Sequence, residues 1–196
     1  MAKSILFIGN SYTFYNDMPE AIFAPMAEAA GLPLEVTAVT KGGWKLSRFA
    51  DPEDEGGALL AAELAKGKSY DYVVLQDHSL RTLKNPDKFF AGVEACRDLL
   101  ANRAGEFILY VTWGRKVGSP QLEELGLTTE EMAKRISAVY GEAAKRYGMK
   151  LAEVGHAFLA ESAAHPDTEL YNADLTHPSP EGSKIVAETI LKAIMG

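Results

Sequence analysis

Apolar positions along the chain form short runs and longer spaced patterns, which alternate from the N-terminus onwards. Each short run is rich in β-branched or aromatic residues and is apolar throughout, as is typical of a strand covered on both faces. Alternation of this kind predicts an α/β domain with a mostly parallel sheet. The predicted strands are residues 4–8, 34–39, 72–76, 107–112 and 150–154.

Several of the longer stretches carry signals for the beginning and the end of a helix. Thr128 and Glu131 match a capping box, and Gly148 closes the helix that follows it. Ser179 can cap a last helix that has Pro180 in its first position. The predicted helices are residues 19–30, residues 86–103, one helix that starts after Thr128 and one that starts after Ser179.

Five strands joined by such crossovers predict a flavodoxin-like, doubly wound, five-stranded parallel sheet in a three-layer α/β/α arrangement. In such a sheet, ligands bind beyond the carboxyl ends of the strands. The loops that follow the strands are therefore the places to look for chemistry.

The composition fits this fold and limits the classes of binding partner. The chain has 196 residues, 47% apolar and 24% charged, which predicts one globular domain over residues 1–196. Its 20 basic and 27 acidic side chains give a formal net charge of −7. This balance offers no basic field for nucleic acid or an anionic membrane, and it argues modestly against strongly anionic substrates. We expect a small-molecule ligand, and the sequence does not indicate an oligomeric state.

Cysteine usage and the N-terminal segment give no reason to expect an oxidising compartment. Cys96 is the single cysteine, so no internal disulfide and no cysteine-based zinc site can form. The apolar run at residues 5–8 is far shorter than the hydrophobic region of a signal peptide, and no run reaches the roughly 20 apolar residues of a membrane span. We expect a cytoplasmic protein.

The first strand and the segment before the last helix supply the groups of a nucleophilic site. Ser11 directly follows a buried strand, and Asp174 and His177 stand three residues apart in a turn. A hydroxyl nucleophile needs a base, and the base needs a carboxylate that fixes its tautomer. The order Ser, Asp, His is therefore a candidate catalytic triad.

A developing oxyanion would need donors close to Ser11. The Ser11 backbone N–H is one candidate, and Gly43 can bring a second N–H close because it has no side chain. The Gln76 side-chain amide at the end of the third strand is the candidate third donor, with His78 as the weaker choice.

These residues resemble the conserved blocks of the SGNH, or GDSL-like, hydrolase superfamily of esterases and lipases. Residues 9–13, Gly-Asn-Ser-Tyr-Thr, look like the first block, Gly43 like the glycine of the second, and residues 174–178 like the last block with its D-x-x-H pattern. The resemblance extends from about residue 5 to residue 182. It implies a serine nucleophile at Ser11, with Asp174 and His177 as acid and base.

The chain departs from the family pattern at two positions. Asn10 stands where the family usually has aspartate, and Gln76 stands in the third block in place of the usual asparagine donor. The pattern of Gln76 and Ser79 is similar to that of branches such as the sialate O-acetylesterase-like proteins. The resemblance therefore implies Gln76 as the replacement donor.

Other residues near the strand ends have alternative interpretations. The side chains of Trp44, His78, Trp113 and Arg115 are candidate walls of a substrate pocket, although ordinary loop packing explains the two tryptophans equally well. Residues 51–55 suit either a solvated acidic loop or a flap over the cleft. Ser79 is a competing nucleophile. The spacing of the histidines and acids matches no metal motif, and we expect no cofactor.

Taken together, the residues and the resemblance predict a serine esterase that hydrolyses a small acyl ester, with an O-acetyl carbohydrate as the preferred substrate. The alternative is a non-catalytic flavodoxin-like domain that binds a phosphate-bearing or other small metabolite over the first loop. The absence of a G-x-G-x-x-G or Walker motif counts against this alternative.

Overall fold

A computed structural model describes residues 3–196 and contains one five-stranded sheet in which all neighbouring strands are parallel. The strand order is β2-β1-β3-β4-β5, the doubly wound order that the sequence predicted. The connection after β1 leads to β2 on one side of it, whereas the next strand, β3, lies on its other side. The carboxyl ends of β1 and β3 therefore flank a crevice. The strands are β1 (Lys3–Gly9), β2 (Leu34–Thr40), β3 (Tyr70–Leu75), β4 (Ala104–Tyr110) and β5 (Lys150–Ala152).

Helices cover both faces of the sheet, and each face has its own apolar core. One core packs α3 to α8 against the sheet, and the other packs α1, α2, α9 and α10. The fold is therefore the predicted three-layer α/β/α arrangement. The helices are α1 (Ser11–Phe14), α2 (Ala24–Ala29), α3 (Leu46–Phe49), α4 (Glu55–Leu64), α5 (Ser79–Lys84), α6 (Pro86–Leu100), α7 (Pro120–Leu125), α8 (Thr129–Tyr147), α9 (Val154–Ala164) and α10 (Pro180–Met195).

The capping signals in the sequence form as predicted. At the start of α8, the Thr128 hydroxyl accepts the Glu131 N–H, and the Glu131 carboxylate accepts the Thr128 N–H. Gly148 ends α8 in the left-handed region with φ of 68°. The Ser179 hydroxyl accepts the Gly182 N–H at the start of α10. These caps fix where the two longest helices begin.

The region between β1 and β2 is less regular than the predicted helix at residues 19–30. A 3₁₀ turn, Tyr15–Asp17, and a π-helical segment, Met18–Phe23, separate α1 from α2. Asn16 and Asp17 lie in the left-handed region with φ of 55° and 53°. This kink turns the chain directly behind Ser11, and periodicity alone does not reveal it.

Two longer helices, α4 and α9, are absent from the sequence prediction. The first contains a pair of adjacent glycines and the second has no clear apolar stripe, so neither carries a strong helical pattern. Across residues 3–196, none of the helices has the length and apolar character needed to cross a membrane.

Candidate active site

Ser11 lies at the carboxyl end of β1, where the strand gives way to a short helix. Asn10 caps α1 by accepting the Tyr12 N–H on its side-chain oxygen. The Asn10 side-chain amide also donates to the Trp44 carbonyl at 3.0 Å. Asn10 is 3% exposed, so both bonds are shielded from water. The residue that replaces the usual aspartate thus ties the Ser11 loop to the loop after β2.

Gln76 anchors the same loop from β3 and is not an oxyanion donor in this structure. Its side-chain oxygen accepts the Asn10 N–H at 2.8 Å and the Thr13 hydroxyl at 3.0 Å. Its amide nitrogen donates to the Asp77 carbonyl at 2.6 Å, and the residue has no exposed surface. The structure therefore does not support a third donor at Gln76, because the side chain has no exposed surface and is bonded within the loops.

His177 and Asp174 lie in the irregular segment 165–179 between α9 and α10. One oxygen of Asp174 accepts the backbone N–H groups of Thr176 and His177, both at 2.9 Å. The other oxygen lies 2.6 Å from Nδ1 of His177. Leu175 adopts a left-handed conformation with φ of 61°, which closes this tight turn. The turn presents both side chains of the predicted pair to each other.

The ring of His177 also reaches Ser11. Its Nε2 lies 2.8 Å from the hydroxyl oxygen of Ser11. Because the Asp174 carboxylate can only accept, Nδ1 carries the proton and Nε2 accepts the Ser11 hydroxyl proton. Tyr15 stacks on the imidazole at a centroid distance of 4.3 Å, and Tyr12 meets it edge-on at 5.5 Å. The Tyr15 contact depends on the kink after α1, which no local sequence pattern reveals.

Hydrogen bonding keeps Asp174 ionised although it is partly buried. Partial burial raises its pKa, but the bonds from the His177 ring and from the His177 and Thr176 N–H groups outweigh this and leave the pKa below its usual value. A negative carboxylate at this position stabilises the imidazolium that forms when His177 takes a proton.

Two backbone N–H groups beside Ser11 are free to bind an anion. Neither the Ser11 N–H nor the Gly43 N–H donates to an acceptor within the described residues. Gly43 occupies the third position of a turn in which the Trp44 N–H donates to the Lys41 carbonyl, and its φ is +75°. A side chain would be strained in that conformation, so glycine is needed here for its backbone.

A cavity of about 230 Å³ opens over these groups. His78 and Arg115, two of the predicted wall residues, line it. Burial lowers the pKa of His78, as do the neighbouring charges of Arg115, Lys45 and Arg81, so the ring is neutral near neutral pH. The residues that line this catalytic pocket are Asn10, Ser11, Tyr12, Gly43, His78, Ser79, Arg115, Thr176 and His177.

Trp113 belongs to the core, so its prediction as a pocket wall is wrong. Its ring is stacked between Tyr12 and Phe158, at centroid distances of 4.4 Å on each side, and has no exposed surface. Its indole N–H donates to the Thr176 carbonyl at 3.1 Å. Neither face is open to a sugar, and Trp113 instead supports the turn that carries His177.

Trp44 is also held away from the pocket, so its prediction as a wall is wrong. Its indole N–H donates to Asp54 at 2.6 Å, and the Arg48 guanidinium lies 3.6 Å from the ring centroid. Asp54 simultaneously caps α4 by accepting the Gly56 N–H. The acidic segment 51–55 is therefore fastened to Trp44 and to α4, and this arrangement does not suit a flap.

Ser79 lines the pocket without a basic partner. It is 2% exposed and begins α5, where its carbonyl accepts the Thr82 hydroxyl. No histidine of residues 3–196 lies within hydrogen-bond distance of its hydroxyl. In the same range, His, Cys, Asp and Glu side chains form no group of three or more that could hold a metal ion.

Asp77 is a buried acid beneath the site that sequence reasoning did not single out. One of its oxygens accepts the N–H groups of His78, at 2.7 Å, and Leu46, at 3.3 Å, while the other has no partner in the described structure. Burial raises its pKa to about 6. Its bonds hold the loops after β2 and β3 together on the pocket side.

Comparison with solved structures adds context to this geometry. A protein from Slackia heliotrinireducens that is described as an SGNH hydrolase is 34% identical, with a TM-score of 0.85 and 100% coverage of both chains. A DUF4886 family protein from Bacteroides uniformis is 18% identical, with a TM-score of 0.81 over 98% of this chain and 83% of that one. The acetylxylan esterase Axe2 from Geobacillus stearothermophilus is 16% identical, with a TM-score of 0.68 over 98% and 94%. No protein-family model and no curated protein matches the chain.

Proposed function

The chain belongs to the SGNH hydrolase superfamily, and on that premise we propose that it is a serine esterase acting through Ser11, His177 and Asp174. The resemblance indicated by the sequence motifs is thereby confirmed at the level of the family. The observation that carries the proposal is the unbroken chain of bonds from Ser11 through His177 to Asp174, at 2.8 Å and 2.6 Å. This is the geometry that an activated hydroxyl requires.

In the proposed reaction, Nε2 of His177 takes the Ser11 proton while the hydroxyl oxygen attacks the ester carbonyl carbon. The resulting oxyanion accepts the free N–H groups of Ser11 and Gly43. His177 then returns the proton to the leaving alcohol as the carbon–oxygen bond breaks, and the acyl group stays on Ser11. Water repeats the sequence and releases the acid.

His78 remains the candidate for a third oxyanion donor. Its ring lines the catalytic pocket, and its lowered pKa keeps it neutral, so one ring nitrogen can donate. The Gln76 amide is committed to Asn10, Thr13 and Asp77, so it supports the site only by holding the Ser11 loop.

We infer that the acyl group is small. The pocket of about 230 Å³ is below the range of roughly 300 to 1,000 Å³ that holds drug-sized ligands, and most of the residues that line it are polar in type. An acetyl group suits this space, and an acetylated carbohydrate is the preferred substrate. The Axe2 similarity is compatible with this preference, although at 16% identity it speaks only to the fold.

Hydrolysis of 4-nitrophenyl esters tests the proposal. We expect kcat/KM to be largest for the acetate and to fall steadily from butyrate to octanoate. Ser11→Ala should lower kcat for the acetate by roughly 10³-fold or more, because the nucleophile is lost. Ser162→Ala, which alters an exposed serine on α9, is the matched control and should stay within about twofold of wild type.

Three outcomes would contradict the proposed function or part of it. Full activity in Ser11→Ala would exclude Ser11 as the nucleophile, and activity that rises toward long acyl chains would exclude the small-acyl preference. If the folded wild-type protein hydrolyses no ester of the series, the alternative of a non-catalytic binding domain is favoured.

A further inference from the structure

A second cavity of about 330 Å³ adjoins the catalytic pocket. The two cavities share Gly43 and His78 as lining residues, so the second one lies next to the space in which an ester at Ser11 would bind. We name this second cavity the cationic groove. Its lining residues are Gly43, Lys45, His78, Leu80, Arg81, Lys84, Asn85 and Lys88.

The groove is basic, although the whole chain is acidic. Lysines 45, 84 and 88 and Arg81 contribute to its lining, and no aspartate or glutamate does. The chain as a whole has 27 acidic and 20 basic side chains, so a lining with only basic charges departs from the average surface. Local charge, rather than net charge, decides what a cleft attracts.

Little neutralises these cations. Lys84 is paired with Glu124 at 2.9 Å, but within residues 3–196 no carboxylate oxygen lies within 4.0 Å of the side-chain nitrogens of Lys45, Arg81 or Lys88. The buried Asp77 carboxyl acts by charge on Arg81 and Lys45, but it forms no ion pair with either and does not line the groove. The charged groups that face the groove are therefore all basic.

The Arg81 guanidinium is held in place with donors to spare. One of its terminal nitrogens donates to the Ser47 hydroxyl at 2.9 Å. Its Nε is buried and has no partner among the described residues. A fixed guanidinium without a carboxylate is well suited to bind an oxyanion that arrives with a ligand.

Arg115 adds positive charge on the catalytic-pocket side of His78. It is 6% exposed, it donates to the Thr176 hydroxyl, and in the described structure no carboxylate lies within ion-pair distance of it. Burial lowers the pKa of His78, and the charges of Arg115, Lys45 and Arg81 lower it further. The adjoining cavities are thus positive on both sides of His78.

We propose that the natural substrate is an anionic ester, in which a carboxylate or similar small oxyanion away from the reacting carbonyl binds Arg81 and Lys45 in the cationic groove. This inference rests on the proposed function and specifies its substrate class. It also reverses the expectation, drawn from the net charge of −7, that anionic substrates are disfavoured. The net charge averages over the surface, whereas the groove is assembled from residues that the fold brings together.

Matched pairs of esters test this inference. The first pair is 4-acetoxybenzoate and its methyl ester, which differ in charge on the alcohol side of the ester. The second pair is 4-nitrophenyl hemisuccinate and 4-nitrophenyl butyrate, which differ in charge on the acyl side. In at least one pair, we expect kcat/KM of the anionic ester to exceed that of the neutral one by about tenfold, as charge-assisted hydrogen bonds allow. Added salt should reduce this preference.

Charge-removing variants locate the effect. Arg81→Gln and Lys45→Gln should each cut the anionic preference by about tenfold, with less than about twofold change for the neutral ester. Lys145→Gln removes the same charge from an exposed position on α8 and should leave the preference unchanged. Using two groove variants guards against one of them being misfolded. Equal or better use of the neutral ester in both pairs would overturn the inference while leaving the esterase proposal intact.

Binding to the Ser11→Ala variant separates this inference from the proposed function. By calorimetry, 4-acetoxybenzoate should bind more tightly than its methyl ester, and adding Arg81→Gln should abolish the difference. If no ester is hydrolysed, the esterase proposal fails, and this binding comparison alone decides the role of the groove. Binding of the anion that is no tighter than binding of the methyl ester overturns the inference in either case.

Discussion

The proposed nucleophile, Ser11, and its proposed base, His177, are held by two regions of different construction. Ser11 follows the interior strand β1, and Gln76 and Asn10 tie its loop to β3 and to the loop after β2 through buried bonds. His177 belongs to segment 165–179, which contains no regular strand and contributes only a single bridge between Tyr171 and Pro178. One half of the site is thus fixed by the sheet and the other by individual bonds.

The bonds that hold the base segment come mainly from the loop after β4. The Trp113 indole donates to the Thr176 carbonyl at 3.1 Å, and the Lys116 N–H donates to the Leu175 carbonyl at 3.0 Å. The Tyr171 hydroxyl donates to the Gly114 carbonyl at 2.8 Å. Substitutions near Ser11 should therefore first lower stability, whereas substitutions near His177 should first lower activity.

Asp174→Asn gives the largest expected effect and probes the base side alone. The asparagine oxygen can still accept the N–H groups of Thr176 and His177, so the turn should persist. The amide nitrogen, however, would donate to Nδ1 and place the imidazole proton on Nε2, which could then no longer accept from Ser11. We expect kcat for 4-nitrophenyl acetate to fall by roughly 10³- to 10⁴-fold.

The melting temperature of Asp174→Asn should stay within a few degrees of wild type, because the Asp174 side chain is 45% exposed. Thermal unfolding followed by circular dichroism provides that control. A large loss of stability together with the loss of activity would contradict the division between the two regions.

Gln76→Leu probes the nucleophile side, where we expect the main effect to be a loss of stability. The substitution leaves the Asn10 N–H and the Thr13 hydroxyl without their buried acceptor. Each unsatisfied group costs about 1–3 kcal/mol, so we expect the free energy of unfolding to fall by at least about 2 kcal/mol. Urea denaturation measures this change.

Glu142→Leu, at an exposed position on α8, is the control and should change the free energy of unfolding by less than about 0.5 kcal/mol. If Gln76→Leu retained full stability and lost activity only, Gln76 would act on the reacting groups after all. That result would restore the oxyanion role that the sequence suggested.

Asp77→Asn tests the buried charge on the nucleophile side through its pH dependence. Because the folded pKa of about 6 lies above the ordinary value of 3.8, the folded state keeps this proton longer than the unfolded state does. The contribution of Asp77 to the free energy of unfolding of the wild type therefore falls as pH rises from about 4 to about 6, and it stays low at higher pH.

The asparagine variant lacks this loss, so its stability relative to wild type should increase by roughly 2 kcal/mol between pH 4 and pH 7.5. Any change in the free energy of unfolding that the new amide causes equally at both pH values cancels when the two pH values are compared. Denaturation curves of both proteins at the two pH values measure the difference. A relative stability that is flat or decreases with pH would contradict a carboxyl group that is destabilised by burial.

The fold was predictable because its signals are local. Each predicted strand overlaps an observed one, since buried strands read as continuous apolar runs. Thr128 and Ser179 marked the starts of α8 and α10 because a cap involves neighbours within one turn. Helix α4 was missed because its adjacent glycines weaken the helical pattern, and its packing against the sheet is not local.

The site was predictable only in part, for a related reason. Residue type and position after a strand identify Ser11, Asp174 and His177 as neighbours in space, and the structure brings them together. Residue type does not say where a buried amide or indole points. Gln76 turns its amide toward Asn10, and Trp113 stacks on Phe158 from α9, so both differ from their predicted roles. The cationic groove likewise exists only after folding.

Active-site labelling with a fluorophosphonate tests the central claim most directly. In the expected reaction, the Ser11 oxygen bonds to phosphorus, fluoride leaves, and His177 takes the hydroxyl proton. We predict one phosphonyl group per chain, found by mass spectrometry on the peptide that contains Ser11, and strongly slowed labelling in Asp174→Asn. Label on any other residue, or none on a folded wild-type protein, would contradict the account.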